Sequence, residues 1–128
     1  MLDSARLAKA RGLRNVWVTA GYINPEPLRE LAPVMDAANI DIKSMRDSYY
    51  REVCGARLQP VLDAVALAVQ LGIMVEITYL IVPTLNEVLR PWHGKLWAGL
   101  RYLAARRGPL ALSVNQGGTS MAWGLGSW

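Results

Sequence analysis

Asn39-Ile40-Asp41-Ile42-Lys43 is the stretch from which the fold of this chain is read. Side chains two apart in an extended chain share a face, so Ile40 and Ile42 point one way and Asp41 and Lys43 the other. The stretch therefore reads as a short strand with one face in apolar packing and the other holding a fixed pair of opposite charges. Such a pair suits a zwitterionic amino-acid group, whose ammonium meets the carboxylate and whose carboxylate meets the amine. The plainer alternative is an Asp and a Lys at a strand end, wet and weakly paired.

Outward from that strand, helix and strand signals alternate. On the amino-terminal side, residues 2–11 are rich in helix formers and stop at Gly12, as a helix C-terminus does. Residues 15–20 read as a buried strand with a turn at Gly21. Asn24 is placed to cap the next helix, with Pro25 at its first position, Leu28, Leu31 and Met35 as its apolar stripe, and Pro33 to kink or split it. On the carboxyl side, residues 47–53 read as a short helix. Leu58 starts an amphipathic helix in which Val61, Leu62, Val65 and Val69 share a face, ending at Gly72. Residues 73–82 are the strongest strand, closed by Pro83.

Strands separated by helices imply parallel pairing through crossovers, hence an α/β architecture. Three such strands are too few for a closed barrel, which takes about 250 residues, so the pattern predicts a piece of a larger barrel-like domain. Ligands in barrels and open α/β sheets sit at the carboxyl ends of the strands. Thr19, Asp41 with Lys43, and the segment 80–86 all fall at such ends, which predicts a shared site.

Composition narrows the class. The chain has 128 residues, enough for one domain or part of one, and half of them are apolar. Cys54 is the single cysteine, which excludes an internal disulfide and a cysteine-ligated metal site built from this chain alone, and suits a reducing, cytoplasmic compartment. Residues 1–12 carry scattered charges and no apolar core, so neither a secretory signal nor an anchor is expected. Residues 64–82 approach spanning length, but Gln70, Gly72 and Glu76 interrupt them and no membrane partner is expected. Through Glu87 there are nine Lys and Arg against ten Asp and Glu; beyond it there are five basic residues and no acid. The net +4 thus belongs to the tail, too dispersed for a nucleic-acid motif.

The runs VWVTAGYINPEPLRELAP, NIDIKSMRDSYYREVCGARLQPVL and GIMVEITYLIVPTLNE, in that order, resemble the second half of radical S-adenosylmethionine enzymes of the pyruvate formate-lyase activating enzyme type, with the radical SAM member of the AmmeMemoRadiSam system the nearest likeness. The resemblance covers residues 10–87, about three fifths of the chain. It implies a fragment of a partial (βα)6 TIM-like barrel with parallel strands. It also implies S-adenosylmethionine and a 4Fe-4S cluster as cofactors, and generation of a 5'-deoxyadenosyl radical that abstracts a hydrogen atom. By the same resemblance Asp41 and Lys43 match the family's Asp-hydrophobic-Lys motif, which contacts the amino-acid end of the cofactor. Thr19 and Gly21 match its Thr-Asn-Gly turn, with Ala20 in place of Asn. Pro83 matches the Pro of its Ile-Pro-Gly turn, with Thr84 in place of Gly. Glu76 and Thr78 alternate with Val75 and Ile77, so they face either a polar barrel interior or open water.

Two departures qualify the resemblance. The family's cluster-binding CxxxCxxC lies upstream of the Thr-Asn-Gly turn, and no such motif occurs in these 128 residues. Cys54 reads as a small buried residue, and neither a metal ligand nor a catalytic residue is assigned. Residues 88–128 form a divergent basic tail, read as an amphipathic helix at 96–107 followed by an unstructured Gly- and Trp-rich end at 117–128. Its abrupt start suggests a break in the coding frame near Glu87. His93, the single histidine, reads as an exposed loop residue. The expected function is that of a radical SAM fragment that keeps part of the cofactor site and is inactive alone, with a small-molecule cofactor as partner and an unknown substrate. The alternative is a non-catalytic interaction module that self-associates through exposed strand edges.

Overall fold

The computed structural model describes residues 1–82, Leu85 and Asn86, and the strand segments 110–116 and 119–125. The expected alternation is present. Helix α1 spans Leu2–Ala10, strand β1 Val16–Thr19, helix α2 Pro25–Leu31, strand β2 Ala37–Asp41, helix α3 Asp47–Tyr49, helix α4 Leu58–Gln70 and strand β3 Met74–Ile81. Strands β4 (Leu110–Gln116) and β5 (Thr119–Leu125) follow. The sheet runs β1-β2-β3-β4-β5; the first four strands are parallel, and β5 pairs antiparallel with β4. This is an α/β fold, a partial barrel in which β1, β2 and β3 are joined through helices.

Sequence chemistry explains the boundaries. Pro25 sits in the first turn of α2, where its missing N–H costs nothing, and Pro33 converts the end of that helix into a 3-10 turn, Ala32–Val34. Helix α3 widens into a π turn over Tyr50–Cys54 that ends at Gly55 in the left-handed region. Asp47 Oδ1 accepts from the Leu58 N–H at 3.0 Å and so anchors the first turn of α4.

The helices cover one face of the sheet. Ile40, Ile42, Val75, Ile77 and Tyr79 from β2, β3 and the residue after β2 meet Leu28 and Leu31 of α2 and Val61, Val65, Ala68 and Val69 of α4. Burying each Ile or Val in that layer contributes roughly 1.5–3 kcal/mol. The opposite face is polar and partly open. Register places Val18 beside Asn39 and Asn39 beside Glu76, with Asp41 beside Thr78 in the next row.

Three expectations are corrected here. Strand β1 is not buried: Val16 and Val18 are 63% and 75% exposed, because β1 is the sheet's edge and those two side chains point away from the helices. Cys54 is exposed; Tyr50, at 3% exposure, is the buried residue of that π turn. Within 117–128, expected to be unstructured, residues 119–125 form β5. Only two residues separate β4 from β5, too few for a crossover, which forces the antiparallel pairing. The expected helix at 96–107, His93 and the turn at Pro83 and Thr84 lie outside the described residues. No helix among the described residues is long and apolar enough to cross a membrane.

Candidate functional site

The carboxyl ends of β1, β2 and β3 lie side by side because the sheet is parallel and nearly in step there: Thr19 pairs with Ile40, and Asp41 with Thr78. On the open face, Asp41 and Lys43 meet as the alternation predicts, with Lys43 Nζ donating to Asp41 Oδ2. Their side chains are 31% and 44% exposed. An ion pair this open contributes little stability, about 0–1 kcal/mol. Asp41 Oδ1 differs from its twin: it is buried and lacks a hydrogen-bond partner among the described residues. A buried acceptor left without a donor costs free energy, so an added N–H donor at this atom would be stabilising.

Thr19 and Gly21 sit one strand away and play a different part. Thr19 shares the face of Ile40, its register partner, and its Oγ1 accepts from the Gly21 N–H at 3.1 Å. The hydroxyl oxygen thus braces the turn, on the face opposite Asp41. Gly21 has φ +72, and a Cβ there would lie 2.8 Å from Ile40 Cγ2 and 3.3 Å from Val61 Cγ1. Only glycine lets this turn press so closely on the core.

Glu76 and Thr78 do face the open side and are joined through Asn39. Asn39 Nδ2 donates to Glu76 Oε2 at 2.9 Å, and Thr78 Oγ1 donates to Asn39 Oδ1 at 3.1 Å. This three-residue chain fixes the amide orientation of Asn39 and leads from the middle of the sheet to the Asp41 row.

Behind Asp41 and Lys43 lies a buried polar support that sequence reading missed. The Lys43 N–H donates to Tyr50 Oη at 3.1 Å, and Asn86 Nδ2 donates to the Lys43 carbonyl at 2.7 Å. Burial pushes the Tyr50 and Tyr79 hydroxyls above the usual tyrosine range, so both remain protonated at neutral pH. Arg46 donates to the Leu85 carbonyl and brings the loop after β2 onto the segment that carries Asn86. Asn86 had only its position near a strand end to mark it; nothing in the periodicity singles out a polar residue whose partners are 43 positions away.

No family model matches the chain. It is 52% identical over 87 residues to an uncharacterized protein of Methanocaldococcus jannaschii, a match that takes in 68% of this chain and 25% of that relative. The chain thus spans about a quarter of the length of the curated relative it matches. Among solved structures, a domain of pyruvate-formate lyase-activating enzyme from Bacteroides vulgatus superposes with a TM-score of 0.60 at 10% identity, covering 90% of this chain and 89% of that domain. TYW1 with a lysine-pyruvate adduct bound superposes with a TM-score of 0.55 at 12% identity, over 89% of this chain and 36% of that one. At such identities the likeness is one of fold, and it is the partial α/β barrel that is shared.

Proposed function

We propose that this chain is the cofactor-holding part of a radical S-adenosylmethionine barrel of the activating-enzyme type, akin to the radical SAM member of the AmmeMemoRadiSam system, and that Asp41 and Lys43 take the amino-acid end of S-adenosylmethionine. The observation that carries this reading is the unpartnered, buried Asp41 Oδ1 beside the Lys43 ammonium at the carboxyl end of β2. A ligand ammonium supplies the missing donor. Lys43, with one N–H on Asp41, keeps two for a ligand carboxylate. The Thr19 hydroxyl accepts from the Gly21 N–H and keeps its own O–H to donate.

S-adenosylmethionine brings an activated sulfonium to such a site. The residues present do not fit the 4Fe-4S cluster. Iron–sulfur clusters of this kind are held by several cysteine thiolates, whereas Cys54 is the chain's single cysteine. Among the described residues no three His, Cys, Asp or Glu side chains are grouped to hold a metal ion. In this reading the chain binds the cofactor without reducing it, and the cluster ligands come from other polypeptide in a reducing, cytoplasmic setting. Calorimetry of the full chain with S-adenosylmethionine tests this: weak binding is expected, lost by about tenfold or more in Lys43→Ala. Equal heats for both proteins would end the claim.

A second reading is favoured by the exposed Val16 and Val18 on the edge strand β1: an interaction module that self-associates along that edge. It predicts concentration-dependent dimers at micromolar protein, abolished by Val18→Lys. A monomer across that range in sedimentation velocity would exclude it.

A further inference from the structure

Lys43 lies two residues beyond the end of β2, where the ladder no longer holds the backbone. The last ladder-like contact is the Ile42 N–H donating to the Thr78 carbonyl at 2.9 Å. From there two side chains take over. Tyr50 Oη accepts from the Lys43 N–H, and Asn86 Nδ2 donates to the Lys43 carbonyl, so both sides of this residue are gripped by groups from separate parts of the chain.

Asn86 is 2% exposed, and its side chain is fully used. Beyond Lys43, Nδ2 donates to the Leu80 carbonyl at 2.7 Å, and Oδ1 accepts from the Val82 N–H at 2.5 Å. Its own carbonyl accepts from Tyr79 Oη at 2.9 Å. One buried amide thus ties the residue that follows β2 to the last residues of β3. A buried asparagine with every partner in place is costly to misplace and has little freedom.

We propose that Asn86 and Tyr50 are positioning residues: by fixing the Lys43 backbone they keep its ammonium on Asp41 Oδ2 and leave Asp41 Oδ1 as that carboxylate's unpartnered acceptor for an amino-acid ligand. The ligand's identity rests on the reading above; the positioning does not. A lysine stem has four flexible carbons and three rotatable donors. An ion pair as exposed as this one is too weak to hold such a stem, so where the stem begins decides what the ammonium reaches. With Oδ2 occupied, Asp41 accepts a ligand donor from one direction. With both oxygens open it would accept from several, and the ligand's orientation would be lost.

The test uses the full chain with Asn86→Ala, Tyr50→Phe and Lys43→Ala, each checked for folding by circular dichroism. Tyr50→Phe removes one hydroxyl and keeps the ring in the core, so it carries the test if Asn86→Ala does not fold. Limited acetylation with mass-spectrometric mapping gives the reactivity of Lys43 relative to Lys9 in the same molecule. The proposal expects Lys43 to react severalfold faster in folded Asn86→Ala and Tyr50→Phe; an unchanged ratio overturns it. Calorimetry with S-adenosylmethionine supplies the second arm. Each positioning variant is expected to weaken binding about five- to tenfold, and that loss is expected to vanish in the Lys43→Ala background, since positioning acts only through Lys43. A loss that persists undiminished without Lys43 marks a general structural role and overturns the proposal. If the chain binds no S-adenosylmethionine while acetylation still rises in the variants, the ligand assignment falls and the positioning stands.

Discussion

At Gly21 two constraints coincide, a backbone φ of +72 and a Cβ direction that ends 2.8 Å from Ile40 Cγ2. An alanine there pays for the left-handed backbone and for pressing on the core at once, so Gly21→Ala is expected to destabilise the chain by roughly 2–4 kcal/mol. Urea unfolding followed by circular dichroism measures it, and a loss below about 0.5 kcal/mol would show that Ile40 and Val61 can give way. The Asp41–Lys43 pair was legible beforehand because strand alternation alone brings residues two apart together. Tyr50 and Asn86 were not, since their role is set by partners in other loops. Cys54 was misjudged because burial was inferred from residue type alone; in that π turn Tyr50 is the buried residue.

Between elements, Asp36 is the clearest junction. Its Oδ1 accepts from Lys9 Nζ at 2.7 Å and from Arg14 Nη1 at 2.9 Å, and its Oδ2 accepts from the Asn15 N–H at 2.9 Å. One carboxylate so joins the end of α1, the lead into β1 and the start of β2. The Lys9 hydrogen bond first, then those from Asn15 and Arg14, hold this carboxyl far below the ordinary carboxylate range. A depressed folded-state value means the stabilisation is complete above the unfolded value, about 4, and is lost as pH falls from there through the folded one. Thermal unfolding of the wild type is therefore expected to fall off below about pH 4–5, whereas Asp36→Asn starts lower at pH 7 and falls less steeply over that acid range. Parallel profiles for the two proteins would remove Asp36 from this role. Asp47 is lowered in the same direction, first by the Leu58 N–H and then by Arg51, and adds a slope of the same sign. Helix α4 and strand β3 were readable in the sequence because their apolar periods are long and clean. The exposure of β1 was not, since a run such as Val16-Trp17-Val18 is equally apolar whether or not anything covers its second face.

For the molecule as a whole, parallel order followed from the alternation of strands and helices, and β1, β2 and β3 pair accordingly. Strand β5 was hidden by composition, since a Gly- and Trp-rich stretch has no clean period and pairing with β4 supplies what local propensity lacks; the short alternation of Leu110, Leu112 and Val114 in β4 went unread. The two margins of the resulting sheet are unlike. Strand β1 presents only the four residues Val16–Thr19 along its outer side. Stacking into fibrils draws on self-complementary segments of about six or seven residues, repeated from molecule to molecule. A margin this short falls below that length, so any contact made there stops at a discrete pair and does not seed a growing amyloid ladder.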